Sequence, residues 1–346
     1  MRSIVSRTAA LGTTQTRRSH YSIRATRVVC AAMDWQFVGR EVELGAIHSR
    51  VLEGRSSLLT GAAGVGKSRL AEEARAALES THSVERLIGS PSVRQLPFGA
   101  VAHLGGDAPL PEAAALIGFV ARAIRKRAAG KPALVVIDDL DLLDDGSIAF
   151  VQHLLAHESI PVLATTRTDG AADPRVVSLW KDDLIERIDL NAMSRAETDA
   201  LAATILDGPT TGELRNEIWR LTEGHPLFIR ELLLEGLASR AIVDDDGAWS
   251  LKSSLGRSQR VADIVQVRTA GLNEAELDGL RAVALCEPVP LQLAKRLAPD
   301  NVLETLEARR MVRLETTPEG PVLRSSHPLI AEATTARMPA LRMAAM

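Results

Sequence analysis

Gly61-Ala62-Ala63-Gly64-Val65-Gly66-Lys67-Ser68 satisfies the pattern G-x-x-x-x-G-K-[ST] and stands between a short apolar run, residues 57–60, and an amphipathic stretch, residues 68–78. The physics of such an octapeptide is specific. Its glycines let the backbone curl so that consecutive N–H groups point inward at phosphate oxygens, and the positive end of the following helix adds to that field. Lys67 supplies a mobile cation for the β and γ phosphates, and Ser68 a hydroxyl for Mg²⁺. A chance match occurs in roughly one chain of this length per hundred. With a strand signal before it and a helix signal after it, the expected ligand is ATP or ADP with Mg²⁺.

Outward from this loop the chain alternates apolar runs with helical patterns, the signature of a parallel sheet covered by helices. Strands are expected at residues 57–60, 84–89, 133–137, 161–165 and 184–190, and helices at 68–78, 112–127 and 147–156. Leu134-Val135-Val136-Ile137-Asp138-Asp139 places two acids at the end of an apolar strand. Asp138 is the expected metal-side carboxylate, and Asp139 is suited to orient or deprotonate an attacking water. The plain alternative is a strand end with acids in its turn, since Asp141, Asp144 and Asp145 follow closely. Strand 161–165 runs into Thr166-Arg167. In a parallel sheet the C-terminal strand ends share one edge, so Arg167 is either a reporter of the γ phosphate or a solvated surface charge.

Past Asn191 the strand signals stop. Helical patterns cover residues 194–205, 211–221 and 226–239; Ser194 with Glu197 forms a capping-box start, and Pro226 suits a first helical position. Gly224-His225-Pro226 reads either as a contact to the nucleotide's base or sugar or as an interhelical turn. A polar stretch, residues 244–258, precedes helices near 274–284, 291–297 and 302–309. Two β-like runs, 311–315 and 322–324, flank the turn Thr316-Thr317-Pro318-Glu319-Gly320. Three helices and a hairpin suggest a winged helix. The expected organisation is a leader over 1–33, a nucleotide-binding α/β domain over 34–191, a helical lid over 192–243 and a winged-helix domain over 244–346.

The chain has 346 residues, 46% hydrophobic and 25% charged, enough for two or three domains with real cores. Residues 1–33 hold six arginines and no acid, leaving 35 basic against 44 acidic residues in the rest. That body is acidic, which argues against a nucleic-acid-coating surface. The leader lacks the apolar core of an export signal and reads as an upstream extension ending near Met33. Cys30 and Cys286 are too few for a disulfide framework, which suits a reducing cytosol. No apolar run approaches the ~18 residues of a membrane span.

Taken together, Val38-Gly39-Arg40-Glu41 with Glu43-Leu44, the phosphate loop, Asp138-Asp139-Leu140, Thr165-Thr166-Arg167 and Gly224-His225-Pro226 resemble the STAND class of AAA-related signalling ATPases. The resemblance is to the ATPase portion of the large ATP-binding LuxR-type transcriptional regulators of bacteria, and it covers roughly residues 34–337. It implies a P-loop NTPase with a five-stranded parallel sheet, a helical lid and a winged helix around the nucleotide, ADP holding a resting state that ATP opens. It also implies Val38, Gly39 and Arg40 near the adenine, residues 61–69, Arg69 included, around the phosphates, and Arg167 as sensor. His225 and Pro226 match the lid motif. His327, in Ser325-Ser326-His327-Pro328, matches a histidine that touches the ADP β phosphate in some members; a helix start with Pro328 in its first turn is the alternative. Those regulators continue into a helical-repeat sensor and a DNA-reading helix-turn-helix, whereas this sequence stops at Met346.

The expected function is a nucleotide-dependent switch with slow hydrolysis, Lys67, Asp139 and Arg167 being its catalytic set, and a protein partner or self-association as output. From Ser250 to Met346 there are 13 basic and 11 acidic residues, a balance that gives direct DNA binding little footing. A DNA-handling, initiator-like ATPase and a small-molecule kinase are the competing readings.

Overall fold

The computed structural model describes residues 36–105, 113–168, 173–255, 262, 263, 265, 266, 269, 271–336, 338 and 343. Expectations for residues 1–33, for a helix start at Glu112, and for parts of 244–258 and of the stretch after Ala336 lie outside these. The chain divides into two units, one of residues 40–191 and one of residues 192–346 with the segment that ends at Gly39.

In the first unit the order is α1 (Glu41–Leu52), β1 (Ser57–Gly61), α2 (Lys67–Leu78), β2 (Ser83–Ile88), α3 (Ala113–Ala128), β3 (Ala133–Asp138), α4 (Asp145–His157), β4 (Val162–Arg167), α5 (Pro174–Lys181) and β5 (Glu186–Asp189). The five strands form one parallel sheet, ordered β2-β3-β4-β1-β5. Central strands β1, β3 and β4 are buried on both faces, which is why they read as unbroken apolar runs. Leu58, Val135, Ile137, Phe150, Val162 and Ala164 belong to one core beneath the helices.

The strand limits differ from expectation in a way that matters. β3 reaches Asp138 and β4 reaches Arg167, so these polar residues are the last rungs of their strands rather than the turns beyond. Edge strand β5 keeps only Glu186–Asp189 of the expected 184–190, since its single ladder, to β1, ends there. Helix α4 begins two residues early because Asp144 caps it, accepting the Ser147 N–H at 3.0 Å, an interaction worth about 1 kcal/mol.

The second unit holds α6 (Arg195–Leu206), α7 (Gly212–Thr222), α8 (Pro226–Ala238), β6 (Ile242–Asp245), β7 (Ala248–Leu251), α9 (Glu274–Cys286), β8 (Val289–Pro290), α10 (Leu291–Leu297), α11 (Asp300–Ala308), β9 (Val312–Thr317), β10 (Gly320–Ser325) and α12 (Pro328–Ala336). Both Ser194 and Asn273 make full capping boxes, at α6 and α9. One continuous core runs from Leu201 and Phe228 through Leu280 and Leu306 to Leu329.

The polar stretch after Val243 contains a hairpin that the composition hides. Asp246 and Gly247 take left-handed conformations, φ 52° and 92°, and Asp244 Oδ1 accepts the Gly247 N–H at 3.0 Å. Their turn pairs β6 with β7 and buries Trp249 completely. Downstream, β8, β10 and β9 make an antiparallel three-stranded sheet; β8, two residues long, leaves no periodicity to read.

Candidate functional site

The parallel register decides what meets at the C-terminal edge of the first unit's sheet. Gly61 on β1 is opposite Arg167 on β4, Ile137 on β3 is opposite Ala164, and Asp138 is opposite Ile88 on β2. The phosphate loop, the two acids and the arginine therefore share one edge, as the sequence pattern implies.

Loop geometry follows from its glycines. Gly64 and Gly66 take φ 79° and 101°, left-handed conformations that turn successive N–H groups toward one side. Gly61 has φ 157°, and a Cβ there would lie 2.6 Å from the Leu190 carbonyl oxygen and 2.9 Å from Val65. Lys67 is buried, and its Nζ donates to the carbonyls of Gly61 and Ala62, both at 2.9 Å. The ammonium is thus held over the loop's first turn. At the start of α2, Ser68 Oγ donates to Asp138 Oδ1 at 2.7 Å. Arg69, by contrast, runs along α2 to Glu73 at 3.6 Å.

These residues fit a magnesium nucleotide. A hydroxyl and a carboxylate in contact are hard oxygen donors, and Mg²⁺ usually takes only one or two such groups from a protein, with phosphates and waters completing its shell. Among the described residues there is no group of three or more His, Cys, Asp and Glu side chains able to hold a metal unaided. The helix N-terminus at Lys67 and the inward amides match phosphate.

Asp139 leaves β3 in the left-handed region, φ 53°, ψ 61°, which costs a non-glycine residue about 1 kcal/mol. Its carboxylate is engaged by Arg167, Nη2 to Oδ2 at 2.8 Å and Nε to Oδ1 at 3.2 Å. Thr165, fully buried, receives the Asp139 N–H at 2.9 Å and donates its hydroxyl to Asp138 Oδ1 at 2.7 Å. Asp141 accepts the Thr166 hydroxyl at 3.0 Å and the Arg167 N–H at 3.3 Å. Gly89 closes the back of this turn: its N–H donates to the Asp138 carbonyl at 2.8 Å, and a Cβ there would sit 2.0 Å from the Asp139 carbonyl oxygen.

Residues 36–164 match the family model described as AAA ATPase domain. The chain carries an AAA ATPase domain. No curated protein sequence matches it. Among solved structures, a Walker-type ATPase of Pyrococcus abyssi is similar with 12% identity and a TM-score of 0.56, over 86% of this chain and 96% of that one. The Aeropyrum pernix Orc1 protein in complex with DNA is similar at 13% identity, TM-score 0.47, over 87% and 93%. The Thermotoga maritima RuvB Holliday junction branch migration motor follows at 16%, 0.45, over 83% and 92%. At such identities the likeness is one of fold, here that of P-loop NTPases.

Two further carboxylates, Asp144 and Asp173, in the segments that follow β3 and β4, are held by hydrogen-bond donors. Asp144 is buried and accepts from the Phe98 N–H at 2.7 Å as well as from Ser147 N and Oγ at 3.0 and 2.5 Å. Burial opposes its charge, yet these donors outweigh burial and hold its carboxyl below the usual carboxylate range. Asp173 is likewise held low, by the Arg175 guanidinium.

The remaining expected residues are distributed between the units. Arg40, φ 67°, lies in the first, where its guanidinium meets Glu43 at 3.0 Å and the Asn191 carbonyl. Val38 packs on the core of the second, and Gly39, φ 75°, lies there against Met193 and Glu197. His225 N-caps α8 ahead of Pro226, its ring 4.8 Å from Phe228 and 6.0 Å from His327. His327 Nε2 is 2.8 Å from the Thr222 carbonyl oxygen, and Nδ1 accepts the Leu329 N–H at 3.2 Å. A carbonyl demands a donor and an N–H demands an acceptor, so the network assigns the neutral Nε2–H tautomer. Both ring nitrogens thus engage backbone of their own unit, and Pro328 opens α12 directly after.

Gly89 and Asp141 were not among the expected site residues, and Thr165 entered only as the first residue of Thr165-Thr166-Arg167 with no role of its own. Their roles depend on which atoms meet across strands, and no local pattern announces that.

Proposed function

We propose that this chain is a nucleotide-dependent switch of the STAND type, binding ATP or ADP with Mg²⁺, hydrolysing ATP slowly and acting on a partner in transcriptional regulation. The observation that carries the reading is the pairing of a complete phosphate and metal edge, Lys67, Ser68 and Asp138, with an acid that Arg167 already occupies. Bound Mg²⁺ would supply charge neutralisation between phosphate oxygens. Lys67 would turn from the Gly61 and Ala62 carbonyls to phosphate, the loop amides would hold the anion, and Ser68 and Asp138 would hold the metal. Asp139 would orient or deprotonate water only once Arg167 lets it go, and that requirement favours retention over turnover.

On this reading the elements from α9 to α12 form a winged helix that serves packing and switching, and Val38, Gly39, Arg40, His225, Pro226 and His327 belong to the nucleotide-responsive set. The output is a protein partner or a second copy of the chain.

The test is calorimetric titration of ADP and Mg²⁺ into folded protein and into Lys67→Ala, with steady-state ATP turnover alongside. Binding by the parent, strong weakening in the variant and turnover well below ~1 s⁻¹ are expected. Equal binding by both ends the reading. Salt-dependent capture of duplex DNA would replace the proposed output with that of a DNA-handling ATPase.

A further inference from the structure

We propose that His153 and His157 form a transition-metal site near the C-terminal end of α4, taking Zn²⁺ or Cu²⁺ through their two imidazoles, with Glu158 positioning one of the rings; the nucleotide reading above is not needed for it. Residues four apart on a helix lie on one face, a turn apart. The two rings stand 5.1 Å apart between centroids, their planes tilted by 50°. Metal–nitrogen bonds of about 2.0–2.1 Å at a tetrahedral angle put the centroids of two ligating imidazoles about 5 Å apart, so the helix already supplies the spacing. His157 is exposed and the His153 side chain is 30% exposed, so a hydrated ion reaches both.

Glu158 settles what each nitrogen of His153 does. Nε2 lies 3.3 Å from Glu158 Oε1. An ionised carboxylate only accepts, so Nε2 carries the proton and the neutral ring keeps its lone pair on Nδ1, where a metal binds. A carboxylate behind a metal-bound histidine fixes the ring's orientation and raises its basicity. Arg125 holds the other oxygen of Glu158, whose side chain is only 14% exposed. The acid is thus anchored as the histidine's acceptor, and the site has two protein ligands, with water completing the shell. That agrees with the absence, among the described residues, of any group of three His, Cys, Asp or Glu side chains able to hold a metal. Imidazole suits Zn²⁺ and Cu²⁺, whereas Mg²⁺ demands oxygen, so the pair selects a different ion from Ser68 and Asp138. It also lies apart from them: α4 starts at Asp145, past the turn that follows β3, and its 13 residues carry His157 about 18 Å along the helix from that start.

ZnCl₂ is titrated calorimetrically into the nucleotide-free full chain and into His153→Ala, His157→Ala and Glu158→Gln, with melting temperatures read with and without the ion. The chain has 8 histidines, and those outside the pair are common to all four proteins, so the differences isolate this site. The parent is expected to take up a Zn²⁺ that either alanine variant binds at least about tenfold more weakly, and Glu158→Gln about tenfold more weakly, the lower end of what losing an outer-shell partner costs. Zn²⁺ should raise the melting temperature of the parent and leave those of the alanine variants in place. With CuCl₂ as probe, electron paramagnetic resonance should show two coordinated nitrogens in the parent and one in each alanine variant. An alanine variant that binds Zn²⁺ like the parent overturns the proposal, as does release of the Zn²⁺ by about a tenfold excess of MgCl₂; Glu158→Gln binding like the parent removes the positioning role. Should an alanine variant fail to fold, His153→Gln or His157→Gln takes its place under the same criteria. A parent that binds ADP with Mg²⁺ but no Zn²⁺ overturns this proposal alone, and one that binds Zn²⁺ but no ADP overturns the nucleotide reading alone.

Discussion

Arg167 lays its guanidinium against the carboxylate of Asp139, with contacts of 2.8 and 3.2 Å between the last residue of β4 and the first residue past β3. The two side chains are 48% and 22% exposed, and an ion pair so placed contributes only ~0–1 kcal/mol to folding. Its consequence is chemical. Both carboxylate oxygens are engaged by the guanidinium, so on the proposed reading Arg167 must let go before Asp139 can engage a water.

Asp139→Asn tests that role. The substitution preserves shape and leaves Lys67, Ser68 and Asp138 untouched, so ADP affinity and melting temperature should stay close to the parent. Single-turnover hydrolysis of ATP should fall about 100-fold, the usual worth of a positioned base. Undiminished hydrolysis would remove Asp139 from the chemistry.

Lys67 carries a different load. Its ammonium is buried and bonded to two carbonyls at 2.9 Å each, so Lys67→Ala deletes a side-chain cation held over the loop. ADP affinity should fall by about 100-fold, the scale of a charge-assisted hydrogen bond. Lys67→Arg should not restore it, because a planar guanidinium presents its donors in a fixed fork rather than as a compact ammonium. Isothermal titration of the three proteins decides the matter.

Glycine substitutions separate site geometry from general stability. A Cβ on Gly89 would lie 2.0 Å from the Asp139 carbonyl oxygen and 3.1 Å from Leu142, so Gly89→Ala must push the Asp139 turn aside. Overpacking of this kind costs about 1–3 kcal/mol, and hydrolysis should drop further than the loss of stability explains. Gly45, exposed in α1 with nothing within 4 Å, is the control; Gly45→Ala should stabilise by about 0.5–1 kcal/mol. Urea unfolding with parallel turnover assays measures both.

The parts of this molecule that were legible in its sequence are those written in consecutive residues. Gly61 to Ser68 announced a turn, a helix start and a phosphate cradle, and the apolar run ending at Asp138 announced a buried strand. The capping box at Ser194 marked α6 to the residue. What escaped depends on partners far apart in the chain. Thr165 looks like any strand threonine until β3 lies beside it, Gly89 like any loop glycine until Asp139 turns behind it, and the β6-β7 hairpin was masked by three aspartates around a turn. Arg69 follows the phosphate loop in sequence, and its side chain meets Glu73 one turn along α2.

Asp144 supplies a pH test. It is buried, caps α4, and gathers the Phe98 N–H together with both Ser147 donors, so it fixes the loop that follows β2 against the helix that follows β3. Burial raises its carboxyl's pKa, but the donors outweigh burial and leave it below the ordinary carboxylate value. A group with a depressed folded-state pKa contributes stability that is complete above its unfolded pKa, about 3.9, and is lost as pH falls through the folded one. Asp144→Asn removes the charge at every pH. The variant should therefore be less stable than the parent by about 1–3 kcal/mol at neutral pH, and the gap should close only below about pH 4. Urea unfolding of both proteins at neutral and acid pH reads this directly; a gap that persists unchanged in acid would show that shape, not charge, is what Asp144 provides.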